Sequence, residues 1–77
     1  MIYENVERIR EARGITKTFL AKKIGISLQG YMHIATGHVR LDVERLKTLA
    51  MILNVEPAIF FDSKLTEFVI REIEKIS

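Results

Sequence analysis

Apolar residues recur along this chain in steps of three and four, and no run alternates with period two long enough to make a strand. The pattern predicts short helices joined by tight connections. The first spans about residues 3–13, where Val6, Ile9 and Ala12 form one stripe and Gly14 ends it. The second covers about residues 17–24. Thr16 precedes it as N-cap, and Leu20, Ala21 and Ile24 supply its buried face. The third covers about residues 28–36, with Ser27 as its cap, Tyr31 and Ile34 turned inward and Gly37 as its stop. The fourth covers about residues 43–53 after the cap Asp42. It carries the stripe Val43, Leu46, Leu49, Ala50 and Leu53, and Asn54 can take the left-handed position behind it. A short fifth helix over about residues 57–61 starts on Pro57, whose missing N–H costs nothing at the first helical position. A sixth runs over about residues 64–76, capped by Asp62 or Ser63. The fold class is all-α.

Composition narrows the possibilities further. At 77 residues the chain is one small domain, and a hydrophobic fraction of 48% gives it material for a real core. With no Cys there is no disulfide framework and no thiolate metal site. His33 and His38 are five apart, which is not a metal-ligand spacing, so no metal and no cofactor is expected. No apolar run approaches the roughly 20 residues that span a bilayer. The start, MIYENVERIR, is charged by its fourth residue, so no secretory leader is expected. The expected location is the cytoplasm. The net charge of +2 is unevenly spread. Residues 1–40 hold seven Lys/Arg against three Glu, and residues 41–77 hold five Lys/Arg against seven Asp/Glu. A basic front half and an acidic back half suit a polyanion on one face and something else on another, although ordinary solvated charge would look the same.

The second and third helices carry the most information. Gly25, Ile26 and Ser27 make a three-residue turn between two capped helices, the spacing of a helix-turn-helix. Gly25 permits the positive φ of a sharp turn, Ile26 is an apolar plug, and Ala21 is small enough for close approach. The segments ITKTFLAKKIGISLQGYMHIATG and LDVERLKTLAMILNVEPAIFF together resemble the Cro/C1-type (XRE-like) helix-turn-helix family, the small repressors of phages and bacterial operons. The resemblance covers about residues 5–61. It implies a compact five-helix, lambda-repressor-like DNA-binding domain over residues 1–61, with its motif at about 16–37 and its recognition helix at about 28–36. Residues 62–77 add a C-terminal amphipathic helix to the same domain.

The resemblance also implies roles. The recognition helix lies in the major groove with its N-terminal residues at base edges. Leu28, Gln29, Met32 and His33 then face the bases. Gln29 is the best single reader, because its amide can pair with N6 and N7 of adenine. Leu28 and Met32 can pack on thymine methyls, and His33 can donate to guanine or phosphate. Thr16 and Lys17 offer phosphates the free N–H groups of a helix N-terminus, and Arg10, Thr36, His38 and Arg40 surround the same groove edge.

Three positions depart from the family's pattern. Many relatives pair the Arg10 position with a Glu at position 35, where this chain has Ala35. Arg10 must therefore swing outward, toward DNA, or find another acid, since a buried unpaired guanidinium is very costly. Gly30 stands inside the recognition helix, where glycine costs about 1 kcal/mol relative to alanine and allows close approach to DNA. Phe19 replaces a residue that is often polar in relatives and is expected to pack on the first helix or shield the core.

The sixth helix carries Leu65, Phe68, Val69, Ile73 and Ile76 on one face. A five-helix domain does not need it, so those residues are expected to form a homodimer interface, with Phe60 and Phe61 contributing. Packing within its own domain is the rival. No nucleophile with a local base and no phosphate-cradling glycine loop points to an enzyme. Two functions stay open. One is a repressor that binds double-stranded operator DNA as a homodimer, with a regulatory partner protein as one route to induction. The other is a protein-interaction module on the same frame, of antitoxin or anti-repressor type.

Overall fold

Four polar side chains set where the helices begin. The Thr16 hydroxyl accepts the N–H of Phe19 at 3.1 Å, and the Ser27 hydroxyl accepts that of Gly30 at 3.0 Å. Asp42 accepts from Arg45 at 2.8 Å, and Asp62 accepts from both Lys64 and Leu65 at 2.8 and 3.1 Å. Each cap satisfies N–H groups that the first helical turn leaves without a partner. The computed structural model describes residues 1–76. It contains α1 (Ile2–Ala12), α2 (Lys17–Ile24), α3 (Leu28–Ala35), α4 (Val43–Leu53), a 3₁₀ segment (Pro57–Phe61) and α5 (Ser63–Ile76). Gly25 at φ 78° and Asn54 at φ 58° occupy the left-handed positions behind α2 and α4.

The fifth element is a 3₁₀ turn, in which the Ile59 N–H bonds back to the Glu56 carbonyl at 3.0 Å. Five residues starting on proline are too few to settle into an α-helix, and short 3₁₀ pieces are common as connectors. Two buried side chains hold this turn in place. Asn5 on α1 donates to the Phe60 carbonyl at 2.9 Å, and Thr66 on α5 donates to the Ile59 carbonyl at 2.7 Å. The turn thereby positions Phe60 in the core.

All six elements contribute to one core: Val6 and Ile9 from α1, Leu20 and Ala21 from α2, Tyr31 from α3, Leu46, Leu49, Ala50 and Leu53 from α4, then Phe60 and Ile73. Each fully buried leucine or phenylalanine stabilises the fold by roughly 1.5–3 kcal/mol relative to exposure. The last helix is part of this core. It packs on α1 and the 3₁₀ turn, Ile73 is buried, and Val69 and Ile70 lie against the cluster. Arg8 of α1 pairs with Glu67 of α5 at the edge of that contact. The amphipathic stripe therefore splits. Val69 and Ile73, expected at a dimer interface, face their own domain, and so does Phe60, whereas Leu65, Phe68, Ile76 and Phe61 remain exposed. In α4, Val43 and Met51 are exposed, so its stripe narrows to the residues that meet α2 and the core.

Candidate nucleic-acid interface

Helices α2 and α3 pack directly on each other across the turn Gly25–Ser27. Ala21 is buried at that contact and Ile26 packs on the core beneath it. Tyr31 and Ile34 are buried on the inner side of α3. Leu28, Gln29, Met32 and His33 are all exposed on the other side. With Thr36 and His38 they line one open hollow of about 630 Å³. The Thr36 hydroxyl sits 2.9 Å from the Met32 carbonyl and 2.8 Å from Nδ1 of His38, while the two imidazole rings lie 6.1 Å apart. The helix thus presents its first two turns outward and anchors its back.

The anchor is a buried network built on Arg10. Its guanidinium meets Glu7 of the same helix through Nε at 3.0 Å and Nη2 at 3.2 Å, and Nη1 donates to the Ile15 carbonyl at 2.5 Å. The Tyr31 hydroxyl donates to the same Glu7 carboxylate at 2.5 Å, tying α3 to α1. The Arg10 and Glu7 side chains are only 11% and 15% exposed. Burial works to lower the Arg10 pKa, but the hydrogen bonds and charge of Glu7 outweigh it and the net shift is upward. Burial pushes the Tyr31 phenol up, and its bond to Glu7 adds to the rise, so Tyr31 stays a neutral donor. Arg10 has therefore found the other acid, and its donors point inward. A phosphate contact from Arg10 does not fit this placement. The missing partner at Ala35 is replaced from within α1, three residues away, at a spacing that puts two side chains on one helical face.

Phe19 and Gly30 lie differently from what the sequence implies, and Gly37, which ends α3 as expected, also makes a long-range contact. Phe19 does not shield the core: it is exposed, with the Lys23 ammonium 5.4 Å from its ring centre. Gly30 is half-buried rather than bare to the groove, and a Cβ there would face Ser27 Oγ at 3.2 Å and Ile26 at 3.8 Å. Gly37, at φ 81°, is pressed by the Tyr3 ring, whose atoms would stand 2.7 Å from any added Cβ. The Tyr3 contact fixes the exit of α3 against α1, and no local pattern announces it.

The cations differ in their partners. Arg8, Arg71 and Lys75 are held by carboxylates along α1 and α5, while Arg13 donates to the carbonyls of Leu53 and Asn54 at 3.0 and 3.2 Å. Among the described residues Lys17 at the start of α2 and Arg40 after α3 have no carboxylate partner, and neither do Lys22, Lys23, Arg45, Lys47 and Lys64. Thr16, Thr36, His38 and Arg40 are exposed, and Lys17 is half-buried.

The helix-turn-helix family model HTH_3 matches residues 6–60, most of the chain. The chain belongs to the Cro/C1-type helix-turn-helix family. The matched segment ends within the 3₁₀ turn and leaves α5 outside it. No curated protein and no solved structure matches the chain. The family is one of DNA-binding transcription regulators and is not typically enzymatic. No helix among the described residues is long and apolar enough to cross a membrane, and no cluster of metal-ligating side chains occurs among them.

Proposed function

We propose that this protein is a cytoplasmic repressor that binds a two-fold operator as a homodimer, laying α3 in the major groove. The observation that carries the reading is the division of α3. Its buried side is locked to α1 through Tyr31 and Glu7, and its outward side presents Leu28, Gln29, Met32 and His33. A reading helix must be held rigidly and leave its first turns free for base edges. Gln29 reads adenine through its amide. Thr16 and Lys17 at the N-terminus of α2, with Thr36, His38 and Arg40, contact phosphates and fix the register. Arg10 is left out of this set.

Selection from a random duplex library at low salt should return a two-fold site. Gln29→Ala should then lose preference at one base pair of each half-site, a change of roughly 1–3 kcal/mol, while nonspecific binding persists. Equal weakening on every sequence would confine Gln29 to the backbone.

The dimer contact is assigned to the exposed flank of α5. Leu65, Phe68 and Ile76 lie along one side of that helix, with Phe68 61% and Ile76 82% exposed. Phe61, in the turn before it, is also exposed. Such a flank is covered economically by a second copy, and two copies match two half-sites. Phe68→Asp should leave the melting temperature of the monomer nearly unchanged and shift sedimentation to the monomer. A dimer that survives this change would place the interface elsewhere. The second reading, a module for a partner protein of antitoxin or anti-repressor type, draws support from the apolar character of Leu28 and Met32. It predicts binding that persists as salt rises.

A further inference from the structure

A second hollow, of about 520 Å³, lies between the start of α1 and the segment that leaves α3. That volume is in the range of small-molecule sites, which join apolar walls to a few polar groups. Ile2 and Leu41, both half-buried, and the exposed Val39 supply the apolar walls. Three side chains with hydrogen-bond donors join them: Tyr3, His38 and Arg40. Among the described residues neither the Tyr3 hydroxyl nor the Arg40 guanidinium has a polar partner. The Thr36 hydroxyl holds His38 at Nδ1, 2.8 Å away, which leaves Nε2 for another contact. No carboxylate lines the hollow, and Asp42, next to Leu41 in the chain, is taken by the Arg45 N–H at 2.8 Å. One guanidinium with two further donors, set in carbon walls, matches a single anionic group on an apolar body. A guanidinium takes a carboxylate through two parallel hydrogen bonds. A phosphate monoester would bring up to about two negative charges against that one cation.

We propose that this hollow binds a small carboxylic acid with an apolar body, and that the bound acid competes with operator DNA for Arg40. The competition rests on the DNA-binding reading above, whereas binding of the acid stands on the hollow alone. Arg40 cannot serve a DNA phosphate and a ligand carboxylate at once, so each lowers the affinity for the other. A chain of this size thereby responds to a small acid without a separate ligand domain.

Decanoate is the probe. Decanol, which lacks the charge, and acetate, which lacks the apolar body, are the controls. Calorimetric titration of the full chain should show saturable binding of decanoate. Decanol should bind about tenfold more weakly, the loss expected of a hydrogen bond to a charged group, and acetate should not saturate. Arg40→Gln should weaken decanoate about tenfold and leave decanol unchanged. Val39→Asp, at an exposed position, should abolish decanoate binding by setting a carboxylate in the hollow, and thermal melting checks that both variants fold. With decanoate at about ten times its own Kd, the parent's affinity for the selected duplex should fall about tenfold per subunit. The proposal is overturned if decanoate does not saturate, if decanol binds as tightly, or if both variants bind decanoate like the parent. Duplex affinity that ignores saturating decanoate would overturn the competition. Failure to recover any preferred duplex would overturn the DNA-binding reading itself, a different result from a chain that binds DNA but no acid.

Discussion

Replacing Glu7 by alanine is expected to destabilise the fold by about 3 kcal/mol or more, the cost of removing one partner of a largely buried ion pair. Glu7 receives two bonds from Arg10 and one from Tyr31, so its loss strands a guanidinium and a phenol together. The remaining acid near Arg10, Glu11, lies 3.9 Å away on an exposed side chain and cannot replace a bidentate partner. In a domain of this size the change should lower Tm by roughly 12 °C or more. The double variant Glu7→Leu with Arg10→Met should recover much of the loss, because apolar residues of similar volume often replace a buried pair at little cost. Thermal melts of the three proteins check this. A Glu7→Ala protein that melts within a degree or two of the parent would mean that the network contributes little.

Gly37→Ala should cost roughly 2–5 kcal/mol, from two sources. The left-handed backbone at φ 81° penalises any Cβ by about 1–2 kcal/mol. The Tyr3 ring fills the space that the Cβ would need, and overpacking of this kind adds about 1–3 kcal/mol. Gly25 is the internal control: its φ is 78°, but nothing stands within 4 Å of its missing Cβ. Gly25→Ala should therefore show only the backbone part. In a Tyr3→Leu background, the cost of Gly37→Ala should fall toward the Gly25→Ala value. Denaturant titrations separate the outcomes, and an unchanged cost in that background would remove Tyr3 from the explanation.

The helix boundaries were legible because they rest on local chemistry. Thr16, Ser27 and Asp42 cap the helices they precede, and Gly25 and Asn54 stop those they follow, through bonds that close within a few residues. Tyr31 and Ile34 were legible as core from helical spacing. The contacts that join distant segments were not. Asn5 reaches Phe60 across 55 positions, and Tyr3 meets Gly37 across the whole motif. No periodicity encodes such a pairing. The division of α5 was only partly readable, since an amphipathic helix shows that one face is covered without showing by what. Its inner face took Thr66 and Ile73 into the core, and the flank with Phe68 stayed bare. Glu7 was a different case. Its three-residue step to Arg10 stands in the sequence as a signal, but that spacing alone does not decide between an outward Arg10 and one paired with another acid.

On the proposed function, the outward side of α3 and the cations Lys17 and Arg40 bind DNA. The most direct measurement is the affinity of the full chain for its selected duplex as salt is raised from 50 to 200 mM. With Lys17 and Arg40 from each of two subunits on phosphates, about four counterions are released. Affinity should then fall on the order of a hundredfold across that range. An affinity that stays flat with salt, or an absence of binding to any duplex at the lowest salt, would contradict the account and favour a protein partner on the apolar face of α3.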